Sequence, residues 1–66
     1  MREQDEKWQA DIDCVQSVAL AAYKRKQDGD TIGMHHYLRH AREMMRLLHV
    51  DIPELIDQRA INMLSL

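Results

Sequence analysis

At 66 residues, with 30% charged and 45% apolar side chains, one Pro, two Gly and no Phe, the chain has the composition of a small, soluble, mostly helical protein. A monomer of 7.8 kDa would bury only about 60% of its unfolded surface, so length excludes a multidomain enzyme and oligomerisation is the obvious further source of stability. Nine Lys and Arg against eleven Asp and Glu leave a net charge of -2, poor for a nucleic-acid binder, and the single Cys14 excludes an internal disulfide.

Residues 1–13 carry Arg2 and Lys7 against Glu3, Asp5, Glu6, Asp11 and Asp13. A signal peptide needs a basic start and a continuous apolar run, and neither is there. No uncharged apolar stretch is long enough to cross a bilayer. With an unpaired cysteine, a cytoplasmic location without a membrane partner is the expectation.

The first predicted helix runs from Glu3 to about Gln27. At 100° per residue, Trp8, Ile12, Val15, Ala19, Ala22 and Tyr23 fall within an arc of about 100°, the width of a core-facing stripe. Val18, Cys14 and Ala21 extend the apolar surface beyond that stripe, and Leu20 lies on its far flank. Asp5 and Glu6 near the start, and Lys24, Arg25 and Lys26 near the end, complement the helix dipole.

Asp28-Gly29-Asp30-Thr31 is the first break. Gly29 suits a left-handed C-terminal turn, and Asp30 or Thr31 offers a capping oxygen to the next helix. So short a connection predicts an antiparallel hairpin. The second helix is expected from about Ile32 to His49, with Met34, Tyr37, Leu38, Ala41, Met44, Met45 and Leu48 on one arc of about 120°.

The second break is marked by Asp51 and Glu54, spaced as a capping box, with Pro53 in the first turn. Val50 and Leu55 have the spacing of a hydrophobic staple. A short third helix is therefore expected over residues 52–64. It is apolar on nearly every side: Ile52, Ile56, Ala60, Met63 and Leu64 on one arc, Leu55 and Leu66 on another, Ile61 on a third. The expected fold is one all-α domain over residues 1–66, an antiparallel hairpin plus a short third helix, assembled as a homodimer to cover that surface.

In the middle of the chain, Tyr23 precedes the turn, Gly29-Asp30 occupies it, and Tyr37 and Ala41 follow it. Over residues 19–44 this resembles a tetratricopeptide helical hairpin. The pattern occurs once, where such repeats stack in series. The resemblance implies a helical hairpin and carries no function.

Among chemistry-bearing residues, His36 and His40 lie four apart, with Glu43 on the same side. That spacing could offer N, N and O ligands to zinc, but Tyr37 stands where the zincin pattern has its Glu. An exposed or interfacial histidine pair is the simpler reading, and neither a metal nor a cofactor is expected. Cys14 has no neighbour that would activate it, so a buried small hydrophobe is the expectation. Ser17, Thr31 and Ser65 have no organised base in sequence, and no phosphate loop is present. The chain is not expected to be an enzyme.

Arg39, Arg42 and Arg46 form a stripe on the second helix with His35 above it, suited to an acidic protein surface or to phosphates. Leu47 falls between His36 and His40, away from the core arc, and makes a mixed patch of interfacial character. The expected function is a small regulator that binds and inhibits or modulates another protein, as an inhibitor or anti-activator. The alternative is a DNA-binding transcriptional regulator using Arg39, Arg42 and Arg46. Expected protein-binding residues are Arg39, Arg42, Arg46, Leu47, His36 and His40, with Leu55, Ile61, Leu64 and Leu66 from the terminal helix. Ile52, Ile56 and Met63 are assigned to packing.

Overall fold

The computed structural model describes the backbone from Glu3 to Leu66 and the side chains from Trp8 onward. The dipole-complementing positions Asp5 and Glu6 therefore lie outside the described side chains. The chain folds as two long helices, α1 (Glu3–Gln27) and α2 (Thr31–Leu48), a 3₁₀ turn (Ile52–Glu54) and a short helix α3 (Gln58–Leu64). Among the described residues, no helix is long and apolar enough to cross a membrane.

The hairpin turn is built from local backbone bonds. Gly29 takes φ 82°, and its N–H donates to the Lys26 carbonyl at 3.1 Å while Asp30 N–H donates to Arg25 at 2.9 Å. These two bonds form a Schellman motif, which needs a left-handed residue where Gly29 stands. Asp30 then caps α2, its carboxylate accepting the Gly33 N–H at 2.9 Å. A Cβ on Gly33 would run into that carboxylate, so glycine here leaves room for the cap. Arg25 ties the turn together, 3.7 Å from the Asp30 carboxylate and with its guanidinium carbon 5.8 Å from the Tyr37 ring centroid.

The core follows the two arcs. Ile12, Val15, Ala19 and Ala22 of α1 pack with Met34, Leu38 and Ala41 of α2. Val50, Leu55, Ala60, Met63 and Leu64 close the third side, so both partners of the staple are buried. Among the described residues, the largest fully enclosed side chains are Ile12, Leu38 and Val15, and α1 adds two alanines to the core.

α2 ends at Leu48, one residue before the expected end. His49 adopts φ 57°, and Val50 N–H donates to the Met45 carbonyl at 3.0 Å. This is a second Schellman-type end, with histidine in the position that favours glycine.

The larger departure is in residues 52–64, where one helix was expected. The Glu54 side chain does accept the Asp51 N–H at 2.6 Å, the reciprocal half of the capping box. But the turn closes after two 3₁₀ bonds, Glu54 N–H to Asp51 at 2.9 Å and Leu55 N–H to Ile52 at 3.0 Å, and Leu55 is extended at ψ 149°. The Gln16 side-chain oxygen accepts both the Ile56 N–H at 2.6 Å and the Asp57 N–H at 2.9 Å, giving these donors partners outside any helix. Asp57 then caps α3 by accepting the Arg59 N–H at 2.9 Å.

Three side chains lie elsewhere than expected. Ile56, expected in the core with Ile52 and Met63, is 72% exposed because the break rotates it outward. Cys14, expected to be buried, is exposed; two residues from Ile12, it points about 200° away from the core. Trp8 is half-exposed, held by its indole N–H donating to Glu54 at 2.9 Å.

Candidate interaction surface on the second helix

The outward face of α2 is polar because every apolar side chain of its 120° arc has already turned to α1 and α3. What remains are two parallel rows. His35, Arg39, Arg42 and Arg46 form one; His36, His40 and Leu47 form the other, with Glu43 between them. All eight are exposed.

Each row lines an open depression. The first, of about 470 Å³, is bounded by His35, Arg39, Arg42, Glu43 and Arg46. The second, of about 300 Å³, is bounded by His36, Arg39, His40 and Glu43. Arg39 and Glu43 line both. Neither is an enclosed cavity of the kind that buries a small ligand. Such shallow relief suits a docked segment of chain.

The cations differ in how far they are committed. Arg46 donates to the Glu43 carboxylate one turn away, and that hydrogen bond, then the carboxylate's charge, raises its pKa. Arg42 donates to the main-chain oxygen of Leu66 at 3.0 Å, which draws the exposed Leu66 to the edge of the arginine row. Arg39 has no ion pair or side-chain hydrogen bond among the described residues. His36 stands edge-to-face against Tyr37, centroids 5.7 Å apart at 73°.

Six of the ten sequence-expected residues, His36, Arg39, His40, Arg42, Arg46 and Leu47, thus share one surface, and Leu66 reaches it through Arg42. The other three do not join it as exposed groups: Leu55 and Leu64 are each 5% exposed inside the core, and Ile61 is half-buried against it. Sequence reasoning missed Ile32, 86% exposed at the start of α2. Its wheel position, outside the apolar arc and in line with Glu43, was the available signal. Among the described residues, no three His, Cys, Asp or Glu side chains gather as a metal-holding group.

Comparison of this chain with protein families, curated proteins and solved structures finds no match.

Proposed function

We propose that this protein is a small, non-catalytic, cytoplasmic regulator that binds another protein through the outward face of α2 and so inhibits or modulates it. The observation that carries this reading is the exposure of Leu47, 61% accessible, on the same outward face as the arginine row, on a helix whose other side is fixed in the core. Apolar area beside charge on a rigid element is the composition of a protein interface, where the apolar group supplies affinity and the charges orient approach.

The same reading includes a homodimer. The enclosed core is small, and Trp8 and Ile56 are both exposed where the tail crosses α1. Two-fold pairing over that region would cover them and add the burial a chain of this length lacks. Sedimentation equilibrium at micromolar concentration should give twice 7.8 kDa; a folded 7.8 kDa species would remove the dimer.

The arginine row also supports a second reading, DNA binding. The two are separated by capture from lysate with and without nuclease, followed by titration of the captured species. Nuclease-resistant binding, weakened by Leu47→Ser, supports the regulator. Retention through nucleic acid alone, falling steeply with salt and lost in Arg42→Ala and Arg46→Ala, supports the alternative.

A further inference from the structure

Ile32 and Leu47 lie on the same outward side of α2, 86% and 61% exposed, at opposite ends of that helix. Fifteen residues at helical rise separate them by about 22 Å. From one to the other, Ile32, His36, Arg39, Glu43 and Leu47 follow one side of the helix at spacings of four, three, four and four. They form a seam along the exposed side of α2, apolar at its two ends and polar or charged through its middle. The middle of the seam and the arginine row beside it hold three Arg, Arg39, Arg42 and Arg46, against the single Glu43, which is already bonded to Arg46. Arg39, which has no ion pair or side-chain hydrogen bond among the described residues, stands at the centre and borders both depressions.

We propose that this seam receives an acidic amphipathic helix of a partner protein. Its two apolar side chains, about four turns apart, would rest on Ile32 and Leu47, and carboxylates between them would meet Arg39 and Arg42. The proposal rests on the reading of α2 as the docking surface and names what occupies it. Charge complementarity selects the sign of the occupant. The paired apolar ends select a protein helix over a nucleic acid, since a phosphate backbone has nothing to place on Ile32 or Leu47. A chain of net charge -2 also repels a polyanion at long range, while a short acidic helix needs only the local field of the row.

The test uses the full chain and a synthetic helical peptide of about eighteen residues, long enough to span the seam. The peptide carries Leu at both ends of one face and Glu between them. Controls are a polyglutamate of equal length and a DNA duplex. The Leu-Glu peptide should bind in preference to both controls. Arg39→Glu should weaken it roughly tenfold or more, and a peptide with Lys replacing the central Glu should regain affinity for that variant. Ile32→Ser and Leu47→Ser, both at exposed positions, should each weaken binding while leaving the circular dichroism unchanged. Equal binding of polyglutamate, tighter binding of duplex, or indifference to both serine variants overturns the proposal. A benzophenone side chain in place of His40, photolysed in the native cell, separates this proposal from the reading beneath it. Cross-links mapping to an acidic helix of another protein support both. Cross-links to a protein segment of other chemistry overturn the acidic helix and leave the docking surface standing. Cross-links to no protein overturn both.

Discussion

The hairpin and the tail that follows it, residues 50–66, obey different rules. The hairpin is held by near-neighbour bonds, the helical ladder and the turn at Gly29, with a continuous apolar arc on each helix. The tail is held by side chains distant in sequence: Trp8 to Glu54, 46 residues apart, and Gln16 to Ile56 and Asp57, 40 and 41 apart. The course of this segment between its short local turns therefore depends on partners far away in the chain. The difference predicts where the molecule is cooperative and where it opens first.

The largest effect should come from the centre shared by both regions. Leu38 is 2% exposed and packs in the cluster that includes Leu55, Met63 and Leu64. Leu38→Ala should cost about 2–5 kcal/mol, a large share of the stability of so small a chain. Chemical denaturation followed by circular dichroism and by Trp8 fluorescence should show both regions lost together. Loss of the tail signal alone would mean that α1 and α2 stand without their shared core.

Gln16 tests the tail directly. Gln16→Ala leaves the Ile56 and Asp57 N–H groups without their acceptor and should cost about 1–2 kcal/mol. Amide exchange should quicken over residues 56–64 and stay slow within α1 and α2. Gln16→Glu retains an acceptor oxygen and should restore much of the protection. Uniform acceleration across the chain would dissolve the distinction between hairpin and tail.

That distinction also decides what the sequence made legible. The two long helices, their turn, the Asp30 cap and the staple all follow from patterns within a few residues. The break after Leu55 does not, because the apolar period of residues 52–64 fits a helix and only Gln16 competes for its backbone. Ile56 and Cys14 were misplaced for related reasons. An apolar residue on a wheel has no address until the helix is known to continue and its neighbours are known to lie on that side. On the candidate surface the arginine row and Leu47 were legible because α2 is regular. The Arg42 bond to Leu66 was not, since it joins two elements by a geometry that no spacing encodes. Leu55 and Leu64 belong to a tail whose apolar pattern does not distinguish partner-facing from core-facing positions, and the core takes them.

Acid should loosen the tail before the hairpin. Glu54 is held below the usual carboxylate range by the Asp51 N–H first and the Trp8 indole second. Asp57 is lowered as well, mainly by the Arg59 side chain. A depressed folded-state pKa contributes stability that is present above the unfolded value and is lost as pH falls through the folded one. Stability should therefore be flat with respect to these groups from pH 7 to about pH 5 and decline below about pH 4. Trp8, the only tryptophan, reports the change directly. A Glu54→Gln variant should lose most of the Trp8 response. An unchanged response would place its origin elsewhere.

The smallest effect concerns the two helix ends that share one geometry. Gly29 at φ 82° and His49 at φ 57° each hold the left-handed position of a Schellman-type turn. A side chain there crowds its own carbonyl at a cost of about 1–2 kcal/mol, which glycine avoids, although glycine gives back about 0.4–1 kcal/mol through its freer unfolded chain. The ends are therefore expected to respond in opposite directions. Gly29→Ala introduces the crowding and should destabilise by about 1 kcal/mol, even though an added Cβ meets nothing within 4 Å. His49→Gly removes the crowding and should stabilise by at most about 1 kcal/mol, less than the full strain because histidine tolerates this region better than most residues. Thermal melts of the two variants beside the parent check both signs at once. A destabilised His49→Gly protein would mean that the imidazole contributes more at the end of α2 than its backbone strain costs. The negative pole of that helix offers a reason, and repeating the melt in high salt would weaken such a contribution while leaving the strain untouched.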